Sequence, residues 1–307
     1  MNKLDFTNQD YEKKINFFNK FFLKVSKEEK LEENKYLIYS YKNYVITFYD
    51  LDFYNNLKEL DDFYEFIHKS GFLTDEIIDY GIVPDYELSY KLVEYHEEES
   101  LENLLESMGK DQQVRYGQLI GQRLNNLHSI KTTTKVNEEN TWYKSINERS
   151  KNACNTYCKT NILGFEYIFE DIINENIHFL RKSAYGIIHG SLDLKNIRID
   201  NEGQIFLLGL KDYDYGDPIY DLAFLERIGI VYPDFANSFL NSYFDYNIPR
   251  QVFKKMAIYS SLDALERLSN RMLLSEGDRH NLEMETKEFA KNLSEMDNFI
   301  PSWYKGI

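Results

Sequence analysis

Residues Ile187 to Glu226 read IIHGSLDLKNIRIDNEGQIFLLGLKDYDYGDPIYDLAFLE, and the fold class turns on this stretch. An apolar pair, Ile187-Ile188, runs into the short polar loop His189-Gly190-Ser191-Leu192-Asp193-Leu194-Lys195-Asn196. Ile197 and Ile199 alternate with polar residues, Asp200-Asn201-Glu202-Gly203 makes a turn, and Ile205 to Leu208 return. That pattern predicts a β-hairpin. Gly209 ends the hairpin, and seven residues on comes Gly216-Asp217-Pro218-Ile219-Tyr220-Asp221-Leu222-Ala223. From Asp217 to the end of the chain the apolar spacing predicts helices only.

Towards the amino terminus the sequence changes character near residue 96. Before it, short aromatic and β-branched runs predict strands at Phe21 to Val25, Lys35 to Tyr41, Tyr44 to Tyr49, Ile77 to Val83 and Leu88 to Tyr95. One helix interrupts them. It runs from Leu57 to Ser70, with Leu60, Phe63, Phe66 and Ile67 at helical spacing, and Gly71 stops it. After His96 the chain turns helical. Ser100 caps a short helix, Gln112 to Ile130 carries Tyr116, Ile120, Leu124 and Leu127 on one stripe, and residues 160–183 add one or two more. The expected organisation is a small β-rich lobe of residues 1–95 and a larger helical lobe of residues 96–307. That is an α+β, bilobal architecture.

The segment just quoted resembles the catalytic core of the aminoglycoside phosphotransferases and choline kinase-like proteins, which have the protein kinase-like fold. That family shares a His-Gly-Asp loop with an asparagine five residues after the aspartate. A hairpin follows that ends in Ile-Asp-Phe or Ile-Asp-Trp, and then Gly-Asp-Pro-x-Tyr-Asp-Leu-Ala. His189-Gly190, Asn196 and the whole Gly216–Ala223 octet stand at matching places. Tyr90 to Glu97, YKLVEYHE, is similar to the last strand and hinge of the small lobe, which places Tyr95 and His96 at the nucleotide. Leu119 to Ile130, LIGQRLNNLHSI, is similar to the helix that precedes the catalytic loop.

The resemblance also shows what is missing. Phosphoryl transfer depends on a held triphosphate, a metal ion and a group that orients or deprotonates the acceptor hydroxyl. Ser191 stands where the family has its catalytic aspartate, and the loss of a positioned base costs roughly 10²–10⁴ in rate, or about 3–5 kcal/mol of barrier. Gly209 stands at the metal-binding aspartate and offers no carboxylate, although Mg²⁺ is held by hard oxygen ligands. Asn196 is then the remaining metal ligand. In Val45-Ile46-Thr47-Phe48-Tyr49, Thr47 takes the place of the lysine that pairs with the nucleotide phosphates. The loop from Ser26 to Asn34 has no glycine and contains Glu28, Glu29, Glu32 and Glu33, which would repel a triphosphate.

Nearby acids are candidate replacements: Asp193 as a base, and Asp212 or Asp214 as metal ligands. His189 is expected to orient the loop. The expected function is a phosphotransferase-family protein that is inactive or severely impaired, a pseudokinase acting as a binding or scaffolding protein. The alternative is an active small-molecule kinase that moves phosphate from ATP to an aminoglycoside-, choline- or sugar-like alcohol. No cofactor is expected for the first; ATP and Mg²⁺ are implied for the second. The partner is a protein or a small molecule.

Composition narrows the other classes. Lys and Arg total 36 against 51 Asp and Glu, a net charge of −15, with no basic run. Nucleic acid and anionic membranes are therefore unexpected partners. No run of about 18 apolar residues predicts a membrane span, and Met1 to Asp10 lacks the apolar core of a leader. Only two cysteines occur, Cys154 and Cys158, one helical turn apart, and the six histidines are scattered. This fits a reduced cytoplasm without a zinc site.

Overall fold

The computed structural model describes residues 30–32, 35–41, 44–74, 77–83, 88–94, 99–131, 141–158, 163–210, 213–296 and 298–306. The expected strand at Phe21 to Val25, the hinge residues Tyr95 and His96, and Asp212 lie outside them. The same holds for most of the 26–34 loop. The chain divides into two compact units. One comprises Met1–Ser100 with Asn196–Lys211, and the other Leu101–Lys195 with Asp212–Ile307. The hairpin after the His-Gly loop thus belongs with the first unit.

The first unit is built on a five-stranded antiparallel sheet. Its strands are β1 (Lys30–Glu32), β2 (Lys35–Tyr41), β3 (Tyr44–Asp50), β4 (Ile77–Val83) and β5 (Leu88–Glu94), in the order β1-β2-β3-β5-β4. Ile46, Thr47, Phe48 and Tyr49 are consecutive and all buried, so β3 is covered on both faces. Helix α1 (Tyr54–Lys69) packs on β4 and β5 and buries Leu57, Leu60, Phe63, Tyr64 and Ile67. It ends where Gly71 adopts a φ of +78°, a conformation that costs glycine little. A second sheet of three strands joins β6 (Glu99–Ser100), β8 (Ile197–Ile199) and β9 (Ile205–Leu207). The β8–β9 turn is fixed by Asp200, whose Oδ1 accepts from the amides of Glu202 and Gln204 at 2.9 and 2.8 Å. The Thr74 hydroxyl donates to the Leu207 carbonyl at 2.7 Å and ties this hairpin to the chain before β4.

The second unit is helical apart from a two-stranded ribbon, β7 (Gly186–Ile188) with β10 (Asp214–Gly216). Its helices are α2 (Leu101–Leu105), α3 (Lys110–His128), α4 (Thr141–Cys158), α5 (Tyr167–Asn176), α6 (Phe224–Val231), α7 (Pro233–Tyr243), α8 (Gln251–Ser269) and α9 (Glu276–Glu295). Helix α8 is the central post. It is buried along most of its length, and α4, α5, α6 and α9 pack against it. Helices α3 and α7 meet backbone to backbone. A β-carbon on Gly117 would lie 2.5 Å from the Phe235 carbonyl oxygen, and one on Gly121 would lie 2.4 Å from that of Phe239. Real β-carbons never come that close, so both positions require glycine.

Helix α4 and the β7–β10 ribbon were not foreseen. The buried stripe of α4 is Trp142, Ile146, Ser150 and Ala153. The spacing is helical, but two of the four members are small or polar, so the segment reads as surface. None of the described helices is long and apolar enough to cross a membrane.

Candidate functional site

Strand β7 delivers the chain into the His189-Gly190-Ser191 loop, and one aspartate holds that loop in shape. Asp221 Oδ2 accepts from the His189 amide and from His128 Nε2, the latter at 3.0 Å, while its Oδ1 accepts from the Gly190 amide at 3.0 Å. His128 Nδ1 in turn meets the Tyr243 hydroxyl at 2.6 Å. Asp221 itself sits in a 3-10 turn, Pro218–Leu222, capped by Asp217. Asp217 accepts from Lys255 Nζ at 2.8 Å, from the Tyr259 hydroxyl at 3.1 Å and from the Ser183 hydroxyl. Burial and the nearby Asp217 charge hold the Tyr259 phenol well above its ordinary pKa, so it remains a donor. Every buried carboxylate oxygen of this pair has a partner, as burial of a charge requires.

Ser191 and Asp193 face a cavity of about 270 Å³ within the second unit. Its other walls include Tyr220, Phe224, Tyr259 and two arginines, Arg227 and Arg267. Asp193 does not project freely into it. Its Oδ1 accepts from the Leu194 amide at 2.7 Å, and its Oδ2 pairs with Arg227 at 3.1 Å. Arg227 also pairs with Glu285 at 3.2 Å, Glu285 with Arg267 at 3.0 Å, and Arg267 approaches Asp263 at 4.0 Å. The result is a ladder of alternating charge, Asp193–Arg227–Glu285–Arg267–Asp263, that ends in a carboxylate on each side. The end carboxylates are the open groups. The side chains of Asp193 and Asp263 are 41% and 59% exposed, those of Arg227 and Arg267 only 21% and 33%. Surrounding protein, with the charges of Asp193 and Glu266, raises the Asp263 pKa from its ordinary value against the pull of the two arginines.

The remaining site positions belong to the first unit. The Leu208 amide donates to the Asn196 carbonyl at 2.8 Å, which closes the β8–β9 hairpin. Gly209 follows with φ at +80°, and a β-carbon there would stand 3.4 Å from Asn196 Oδ1. Gly209 and Asn196 are thus neighbours, but the glycine supplies no side-chain oxygen and its backbone strains any other side chain. Asn196 with Gly209 does not fit Mg²⁺.

Thr47 is buried in β3, directly across from Lys91 of β5 in the antiparallel register. Side chains that face each other in this way project from the same sheet face. Lys91, also buried, therefore projects from the same sheet face as Thr47. Sequence reasoning passed over Lys91, because cross-strand register is not written in either strand alone.

These elements, strands, loop, hairpin and capped turn, occur in the order that the Gly216–Ala223 octet implied. A family model described as the phosphotransferase enzyme family matches residues 29–257, which is most of the chain. The chain belongs to the phosphotransferase enzyme family. Solved structures of similar shape carry the same fold. The GDP complex of wild-type aminoglycoside 2'-phosphotransferase-IIIa superposes with a TM-score of 0.65 at 13% identity, covering 95% of this chain and 99% of that one. A choline/ethanolamine kinase family protein from Mesorhizobium loti gives 0.62 at 12% identity, covering 93% and 96%. The gentamicin complex of APH(2'')-IIa gives 0.57 at 13% identity, covering 92% and 96%. No curated protein matches the sequence. The fold is α+β, a kinase-like pairing of a small sheet-rich unit with a larger helical one. In this phosphotransferase-family chain Asp221 braces the His189-Gly190 loop through both backbone amides.

Proposed function

We propose that the protein is a phosphotransferase-family member that has lost efficient phosphoryl transfer and works as a binding or scaffolding protein, with the cavity of the second unit as its binding site. One observation carries this. The only acid in the His189–Asn196 loop is Asp193, and both of its oxygens are engaged, by the Leu194 amide and by Arg227. A carboxylate whose two oxygens already accept from other donors is poorly placed to take the proton of an acceptor hydroxyl, which needs a base within hydrogen-bond reach. Gly209 adds support, because the metal position has neither a carboxylate nor a backbone that accepts one readily.

The cavity supports a ligand class. Its open groups are the two end carboxylates, and aromatic rings of Tyr220, Phe224 and Tyr259 line the rest. An alcohol or polyol that carries ammonium groups suits both, through ion pairing and cation–π contact.

A second possibility, a live kinase with displaced groups, is favoured by Lys91, which stands across from Thr47 and could meet nucleotide phosphates in its place. Two assays separate the two. Calorimetry measures ATP and GTP binding with and without Mg²⁺. Phosphate transfer is then followed from each nucleotide to a panel of amino alcohols, aminoglycosides and sugars. The binding-protein proposal expects no turnover, with amino-alcohol binding that weakens several-fold in Asp263→Asn. Turnover by the wild type that vanishes in Asp193→Ala and in Lys91→Met would overturn it.

A further inference from the structure

Helix α6 lines the cavity through Phe224 and Arg227, and between them it buries Glu226 completely. Among the described residues neither carboxyl oxygen of Glu226 completes a hydrogen bond, and neither does the indole nitrogen of Trp303 beside it. Helices α7, α8 and α9 pack on α6, yet among the described residues no charged side chain of theirs shifts this carboxyl. Burial and the Trp303 indole are the two influences on it. Burial dominates and pushes its pKa up to about 8, so at neutral pH the carboxyl is protonated.

Trp303 is the cover. Its ring lies flat against α6 one turn beyond Glu226, where a β-carbon on Gly229 would come within 2.5 Å of it. The cover belongs to the segment 301–306, which pairs with no strand and continues no helix. Besides the buried Pro301 and Trp303, what holds the segment is mostly surface chemistry on α7. Lys305 Nζ meets Asp234 at 2.6 Å, the Lys305 amide donates to Asn237 at 2.8 Å, and Asn241 donates to the Gly306 carbonyl at 2.9 Å. Tyr304 packs on Phe253 with ring centroids 4.9 Å apart. Contacts of that kind are individually weak, whereas a buried carboxylate without a partner is costly. Water reaches Glu226 most easily by displacement of Trp303, because α6 itself is wedged among three helices.

We propose that residues 301–306 form a proton-controlled latch on α6, closed while Glu226 is neutral and lifted when it ionises. One proton is exchanged per opening. The open population should therefore rise about tenfold per pH unit while the closed form keeps its proton and the open form has lost it, and then level off.

The full chain offers two readouts. The first is carboxypeptidase release of the terminal residues, corrected for the protease's own pH profile on a peptide of residues 298–307. The second is ¹⁹F NMR of 5-fluorotryptophan-labelled protein, in which only Trp142 and Trp303 report and Trp303→Phe assigns the signals. Release should rise about tenfold per unit from pH 6 towards about 8 and then level off. The Trp303 signal should titrate over the same range, while Trp142 stays flat. Glu226→Gln should abolish both effects. If that variant does not fold, Gly229→Ala serves instead, since its methyl group collides with the indole and should make release fast and independent of pH. Wild-type release and a Trp303 signal that do not change between pH 6 and 8.5 would overturn the latch. So would a pH dependence that survives unaltered in either variant.

Discussion

Asp221 and Glu226 lie five residues apart, and both carboxyls are buried, but they are treated in opposite ways. Asp221 receives two backbone amides and a histidine, so its charge is fully solvated by protein. Glu226 receives no completed hydrogen bond among the described residues and stays neutral. The difference teaches which of the two is architecture. A buried acid that gathers donors fixes a loop, whereas one that gathers none responds to protons.

The largest expected effect breaks this comparison at Glu226. Its folded pKa is about 8 and its ordinary value 4.5. Below 4.5 both folded and unfolded chains hold the proton. Between 4.5 and 8 only the folded chain keeps it, so stability falls as pH rises, by about 1.36 kcal/mol per unit, and above 8 the loss is complete. Glu226→Gln should therefore out-stabilise the wild type by about 5 kcal/mol at pH 9, with the gap closing towards pH 5. Urea denaturation at a series of pH values measures this. A gap that does not depend on pH would mean that Glu226 is solvated after all.

Asp221→Ala should cost slightly less, about 4 kcal/mol at pH 7, because it leaves two amides and His128 without their acceptor. Thermal denaturation should show a fall on the order of 10 °C. A loss below 1 kcal/mol would remove Asp221 from the role of brace.

Asp193 sharpens the contrast from the exposed side. Its bond to Arg227 is open to solvent, so Asp193→Ala should change stability by less than about 1 kcal/mol. Its effect belongs in ligand binding, read as a several-fold weaker dissociation constant for an amino alcohol. A large stability loss with unchanged binding would make Asp193 a second brace.

The same contrast marks what could be read before any coordinates. The octet Gly216–Ala223 and the His189-Gly190 loop announced the family, because caps, turns and loop braces need particular residue types at fixed spacing. In the first unit β2 to β5 were legible from their β-branched and aromatic runs and α1 from its helical spacing, whereas β1 at Lys30–Glu32 lies within what read as a loop. What stayed hidden depends on contacts distant in sequence. Arg227 reaches Asp193 across 34 positions, Lys91 meets Thr47 only through strand register, and Glu226 looks like any helical glutamate until Trp303 covers it. Helix α4 was hidden more simply, by Ser150 and Ala153 in its buried stripe.

The glycine seam between α3 and α7 has a mechanical consequence. Helices that interlock through side chains can slide, because rotamers re-seat from one groove to the next. Two bare backbones at Gly117 and Gly121 have nothing to re-seat, and the neighbouring Ser238 hydroxyl blocks the track on one side. Helices α3 and α7 should therefore travel as one stiff plate. Rocking of that plate against α6, on which α7 packs, would carry His128 on one helix and Tyr243 on the other together and keep the bond between them through the whole swing.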